Sequence, residues 1–289
     1  MKKLIINADD FGLSRGINKG IIELFNSGVL TSASLMVNMP GFEDAVRSIR
    51  DNPGLGVGLH INVLRGRPVS PVEGVGSLCE GGFFHGNVNR LAALCYTGKR
   101  CLEEFAVECR AQIEKALSRG VRITHLDSEK HVHILSPLFK VLLTIAGEYG
   151  ILKIRSINEI PYLGQRAGLG RVFKKQSYTA LLLSCCSMIN RRMLETYHVK
   201  SPDYFYGASV TGRMTLEGCM KVLSGLKKGT TELMCHPGYI DEEWQDPVLN
   251  RQKYYINAAR QREMEVLRCL GARGVFKQYG ISLSSYGQL

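Results

Sequence analysis

Residues 3–8, Lys-Leu-Ile-Ile-Asn-Ala, run straight into the acidic pair Asp9-Asp10, and the stretch from Ser14 to Asn26 then repeats its apolar residues at helical spacing. The first run reads as a buried strand. Ser14 reads as the N-cap of the helix that follows, with Gly28 just past its end. Strand, polar turn and helix make the unit from which parallel α/β folds are built, and the pattern recurs. A second strand is expected at 30–37, followed by a helix from Pro40, and a third strand from Leu55 to His60. A helix at about 103–118 precedes a strand at 121–127. Ser136-Pro137 opens another helix, since proline suits a first turn. Residues 151–155 and 231–236 read as further strands, and about 256–272 as a late helix. No internal repeat or low-complexity linker divides the chain. The expectation is an α/β fold in one domain over 1–289: a parallel sheet or (β/α) barrel, distorted or seven-stranded.

Composition narrows the class. With 45% hydrophobic and 22% charged residues over 289 positions, the chain has enough apolar material for a large core, which excludes a disordered protein. No run approaches eighteen apolar residues, so a spanning helix is not expected. The start offers two lysines and a three-residue apolar run, too short for a signal peptide. Nine cysteines without a C-x-x-C pair then read as reduced thiols in a cytoplasmic protein. The net charge of +11 points to an anionic partner.

The polar residues fall where such a fold keeps its chemistry. Asp9 and Asp10 end the first strand, and His60 ends the third. Asp127-Ser128-Glu129-Lys130-His131-Val132-His133 follows another strand, and His236 closes a late one. In (β/α) barrels the loops after the strands share one face, so residues far apart in sequence converge there. Two adjacent carboxylates in a pocket need a cation or a shared proton to relieve them. His60, within Gly58-Leu59-His60-Ile61-Asn62, is either a hydrogen-bonded core residue or a ligand of that cation. His131 and His133, two apart, point the same way in an extended loop, and one of them suits a supporting hydrogen bond rather than a ligand bond. Pro237-Gly238 fixes the turn behind His236. His85 and His198 lack acidic company and read as structural. Cys235 and His236, as strand neighbours, face opposite ways and do not make a nucleophile pair. Phe11-Gly12-Leu13-Ser14-Arg15-Gly16 matches neither the phosphate loop nor the dinucleotide fingerprint.

Several ordered motifs together resemble one family. Asn7-Ala8-Asp9-Asp10-Phe11-Gly12, Leu30 to Asn38, Gly58-Leu59-His60, Thr124-His125-Leu126-Asp127-Ser128, His131-Val132-His133, Pro202 to Gly207 and Cys235-His236-Pro237-Gly238 look like the YdjC family of carbohydrate deacetylases, related to the polysaccharide deacetylases. The resemblance implies a (β/α) barrel and a divalent metal (Zn, Mg, Mn or Co) held by an Asp-His-His set. The implied reaction is removal of an N-acetyl group from an amino sugar, free or lipid-linked. It makes Asp10 and His60 metal ligands, Asp9 the general base and His236 the acid that protonates the leaving amine. Asp127, His133 and Arg155 fall around the site as supporting or substrate-contacting groups.

The departure is Glu129, where the family usually has a histidine as third ligand. Either Glu129 completes an Asp-His-Glu set that favours harder metals, or His131 takes the place. A third outcome is weak metal binding, leaving a sugar- or lipid-binding barrel with little turnover. A metal phosphoesterase would want a second metal about 4 Å away and more clustered carboxylates. Nucleic-acid binding lacks any recognised reading motif.

One segment stands apart. Between positions 164 and 200 lie Arg166, Arg171, Lys174, Lys175, Arg191, Arg192 and Lys200, seven cations against the single acid Glu195, and they flank an apolar run from Tyr178 to Ile189. This basic helical insertion is either an ordinary buried helix with solvated ends or a segment that rests on an anionic membrane surface, which would make the protein peripheral at the inner leaflet. A homodimer is the remaining partner expectation.

Overall fold

The structure, a computed structural model, describes residues 1–159, 175–240 and 258–289. Its first half is built from β1 (Lys2–Phe11), α1 (Arg15–Asn26), β2 (Ser32–Leu35), α2 (Phe42–Asp51) and β3 (Gly56–Ile61). A small hairpin, β4 (Cys79–Glu80) and β5 (Phe83–Phe84), leads to α3 (Val88–Thr97) and α4 (Lys99–Ser118). Then follow β6 (Leu126–Ser128), α5 (Ser136–Glu148), α6 (Lys175–Thr196), β7 (Tyr204–Tyr206), α7 (Leu216–Ser224) and β8 (Gly229–Cys235). The chain ends with α8 (Ala258–Ala272), α9 (Val275–Gln278) and β9 (Ile281–Leu283).

Strand β1 is the hub. Among the described residues the main sheet runs β6-β3-β2-β1-β8-β7, and every pairing in it is parallel. β8 pairs with Lys2–Ala8 along one edge of β1; β9 and then β2 share the other. A strand covered on both edges and both faces must be apolar almost throughout, which is why Leu4-Ile5-Ile6 is fully buried. Leu4, Ile6 and Ala8 join the apolar layer beneath the helices, while Asn7 and Asp9 alternate to the inside of the curl. The sheet curls into an α/β half-barrel. Beyond β6 its line continues only as single bridges, Leu126 to Ile154 and Lys153 to Lys200.

Local signals hold where they rest on a specific bond. Ser14 accepts from the Ile17 N–H at 3.3 Å, as an N-cap should, and Pro137 stands in the first turn of α5. The strand expected at 151–155 is a correction: the residues lie at the right place in the sheet, but only Lys153 and Ile154 make bridges. The helix expected from 103 begins at Lys99, and the strand expected at 121–127 is three residues, Leu126–Ser128. Of the late helix, positions 256 and 257 lie outside the described residues. The part of the basic insertion over 164–174 lies outside them too; α6 and the chain to Lys200 remain. All nine cysteines are unpaired, and Cys95, Cys101, Cys109, Cys219 and Cys235 are buried.

One glycine shapes the interior. A Cβ on Gly58 would lie 2.2 Å from Cε1 of His125, so only glycine leaves room for that imidazole. His125 stacks on Tyr286 with 3.6 Å between ring centres. Burial pushes its pKa down to about 3, so it is a neutral ring inside the curled sheet.

Candidate active site

The site begins with an irregularity in β1. Asp10 has φ of 68°, in the left-handed region that aspartate tolerates better than most residues. The β1–β2 register shifts between Ala8 and Phe11. On a regular strand Asp9 and Asp10 would face opposite ways. The bulge re-aims Asp10 so that both carboxylates enter the same cavity, a recognised use of such bulges. The turn beyond is held by Leu13 N–H to Asp10 O at 3.0 Å and Gly12 N–H to Asn18 Oδ1 at 2.7 Å.

Arg155 is the cationic centre of the interior and is fully buried. Its Nη1 and Nη2 donate to Asp9 Oδ2 at 2.8 Å and Oδ1 at 2.6 Å. Nη1 also lies 2.8 Å from Asp127 Oδ2. Nε and Nη2 donate to Glu232 Oε1 at 2.9 and 2.7 Å, and Tyr286 donates its hydroxyl to the other Glu232 oxygen. Asn7 Nδ2 adds a 2.9 Å bond to Asp9 Oδ1. Asp9 is therefore held in one orientation from two sides.

Asp127 passes this order on to His60. Ser34 Oγ donates to Asp127 Oδ2 at 2.7 Å, and Asp127 Oδ1 sits 2.8 Å from His60 Nδ1. A carboxylate on Nδ1 fixes the ring and leaves Nε2 as the outward donor atom. Burial opposes charge on both groups, yet Arg155 and His60 hold Asp127 well below the usual carboxylate range. Asp127, Asp9 and Glu129 in turn raise the His60 pKa well above its ordinary value despite burial.

Two sets of three groups have ligand atoms all within 4.8 Å of one another: Asp9-His60-Asp127 and Asp10-His60-Glu129, all buried. The first is already committed, because Arg155 occupies both aspartates and Asp127 occupies His60 Nδ1. The second keeps His60 Nε2, 3.6 Å from Glu129 Oε2, and either set could hold a metal ion. The carboxylates of the second set meet two further guanidinium groups. Arg65 Nη2 donates to Glu129 Oε1 at 2.5 Å, and Arg260 Nη2 donates to Asp10 Oδ2. Against the upward push of burial, Arg65 and the His60 hydrogen bond bring Glu129 down to about 2. Arg260, Arg65, His236 and His60 likewise hold Asp10 well below the usual range.

The histidines of the 129–134 segment separate. Glu129–Ile134 is a 3₁₀ turn with Lys130 and His131 at φ of 50° and 58°, not an extended loop, so His131 and His133 do not share a face. His133 is tied inward, its Nδ1 2.6 Å from Ser128 Oγ and its Nε2 3.1 Å from Arg155 O. His131 stands edge-on to Phe205 at 6.0 Å and belongs to neither metal-capable set. His236 follows β8; its backbone N–H donates to Glu263 Oε2 at 2.6 Å, and its Nδ1 has no hydrogen-bond partner among the described residues. Sequence reasoning did not single out Arg65, Arg260, Glu232 or Tyr286.

The chain matches the family model described as YdjC-like protein over residues 3–277. It belongs to the YdjC-like family. Its YdjC-like relatives include a carbohydrate deacetylase of Brevibacillus brevis, 32% identical with 99% of each chain covered. A chitooligosaccharide deacetylase of Escherichia fergusonii is 30% identical, covering 98% of this chain and 97% of its own. The fold matches a crystal structure of a candidate cellobiose-phosphate cleavage protein from Enterococcus faecalis. The TM-score is 0.70 at 28% identity, over 99% of this chain and 97% of that one.

Within this YdjC-like site Glu232 carries a pH prediction. Burial raises its pKa to about 7 against the pull of Arg155 and Tyr286. A carboxyl raised above its unfolded value binds more protons folded than unfolded between the two pKa values. Its contribution to stability is therefore full below about pH 4.5 and lost as pH climbs to about 7. Glu232→Gln removes that titration. Its thermal midpoint is expected to fall less than that of the parent from pH 5 to 7; a steeper fall would contradict the assignment.

Proposed function

We propose that the protein is a hydrolase that removes the N-acetyl group from an acetylated amino sugar, with one divalent cation held by Asp10, His60 and Glu129. The observation that carries this reading is the buried three-residue set beside the clamped carboxylate of Asp9. The relatives' activity toward acetylated sugars supports it. The donor set fits a metal ion: an imidazole turned outward by a carboxylate on its other nitrogen, and two carboxylates poised against positive charge. Two carboxylates to one imidazole tilt the choice toward oxygen-loving metals. When bound, the cation supplies Lewis-acid charge that polarises an amide carbonyl and makes water a better nucleophile near neutral pH.

The rest falls to the chain's own residues. Asp9 is the general base. Arg155 and Asn7 fix its plane, and its Oδ2, with Arg155 as its recorded donor, keeps an acceptor direction for the proton of the attacking water. Amide nitrogen leaves poorly until protonated. His236 is assigned that proton transfer because Asp10 feels its charge and its Nδ1 has no hydrogen-bond partner among the described residues. Arg155 acts through Asp9 and Asp127 and is a positioning residue.

A second reading, a sugar-binding barrel with little turnover, is favoured by one feature: Arg65 and Arg260 already neutralise Glu129 and Asp10. Acetate release from N-acetylglucosamine oligomers decides between them. The deacetylase reading expects release that a chelator abolishes and added divalent metal restores. Sugar binding with no acetate release under any metal would leave the binding protein.

A further inference from the structure

Helix α6 packs Leu183, Cys186, Met193 and Leu194 against the core, yet it also buries polar side chains and leaves an apolar stripe in the open. Its inward face carries Ser184, Ser187 and Asn190, all buried and all hydrogen-bonded. Ser184 Oγ donates to Glu159 O at 3.0 Å, and Ser187 Oγ accepts from Ile157 N–H at 2.9 Å. Asn190 Nδ2 donates to Ile134 O at 2.7 Å while its Oδ1 accepts from Ser136 Oγ at 2.8 Å. A second set of apolar residues lies on the outward face. Leu181 is 46% exposed, Leu182 49%, Met188 64% and Ile189 69%, and the exposed Cys185 completes a stripe at helical spacing. Exposed leucines scattered singly are ordinary; a stripe of them on one helix face marks a surface meant to be covered.

We propose that this face of α6 seats on an anionic lipid surface, its apolar side chains entering the headgroup boundary and Arg191 and Arg192 reaching the phosphates. A helix packed on a globular core normally turns its polar side to water, and α6 instead leaves Leu181, Leu182, Met188 and Ile189 exposed there. Arg191 and Arg192 are exposed at the end of the stripe, and Glu195 is the only acid in the helix. An apolar stripe with a cationic end suits the plane of an interface. The alternative of spanning is closed to it, since among the described residues no helix is long and apolar enough to cross a membrane. The inward hydrogen bonds fasten α6 to Ile134, which closes the turn carrying Glu129, and to Ile157, two residues past Arg155. The docking face is thereby fixed relative to the site, and it stands whatever reaction the site performs.

The test is co-sedimentation of the full chain with vesicles of phosphatidylcholine alone and of phosphatidylcholine with phosphatidylglycerol. The protein is expected to pellet with the anionic vesicles and to stay in solution with the neutral ones. Met188→Ser with Ile189→Ser should abolish pelleting. Arg191→Gln with Arg192→Gln should weaken it about thirty-fold. All four positions are exposed, so thermal midpoints should match the parent. Equal pelleting with both vesicle types, or none with either, overturns the proposal. So does pelleting that survives Met188→Ser with Ile189→Ser. Light scattering that shows a parental dimer, made monomeric by the same double substitution, would assign the face to a second copy instead.

Discussion

Replacing Arg155 by methionine is expected to destabilise the protein by about 3–5 kcal/mol, the cost of removing one partner from a buried charge network. Arg155 is fully buried, and its guanidinium is shared by Asp9, Asp127 and Glu232. Without it Asp9 loses its cationic partner, Asp127 keeps only His60 as a charged partner and Glu232 keeps only the Tyr286 hydroxyl. Domains of ordinary stability hold only about 5–15 kcal/mol in total, so the loss is a large share of the whole. Urea unfolding followed by circular dichroism measures it. A loss under about 1 kcal/mol would mean that the carboxylates find other relief, and the central role given to Arg155 would fall.

Asp9→Asn is expected to cut acetate release about 100- to 10,000-fold, the usual worth of a positioned general base. The amide keeps the shape, and Arg155 retains Asp127 and Glu232, so folding should survive. The loss should appear in kcat with KM nearly unchanged, because the proton leaves water only as the reaction proceeds. A decrease of less than about tenfold would remove Asp9 from the mechanism. It would leave the carboxylate as a structural anchor for Arg155.

Much of this was legible in the sequence, for identifiable reasons. The β1-α1 unit was readable because its apolar period and Ser14 cap are local. The places of Asp9, Asp10 and His60 at strand ends follow from the same period. Harder to read was anything decided by a long side chain. Arg65 and Arg260 reach the site through flexible stems, and no spacing rule says where a guanidinium will end. Glu232 and Tyr286 were invisible for another reason: each sits in or beside a strand and shows its partner only once the strands curl together. The 3₁₀ turn at Glu129–Ile134 defeated the expectation for His131 and His133, because two consecutive left-handed residues break the alternation that an extended loop would have. β9 is three residues long, too short to carry a period. The exposed apolar stripe of α6 needs the rest of the fold to define its outside.

The account rests on Asp10, His60 and Glu129 sharing one cation, and crystals soaked in manganese or zinc test this most directly. Anomalous difference density is predicted to show one peak bounded by Asp10, His60 Nε2 and Glu129, with Arg65 and Arg260 drawn back from the carboxylates. A peak on Asp9 and Asp127, a peak at His131, or none at all would contradict it.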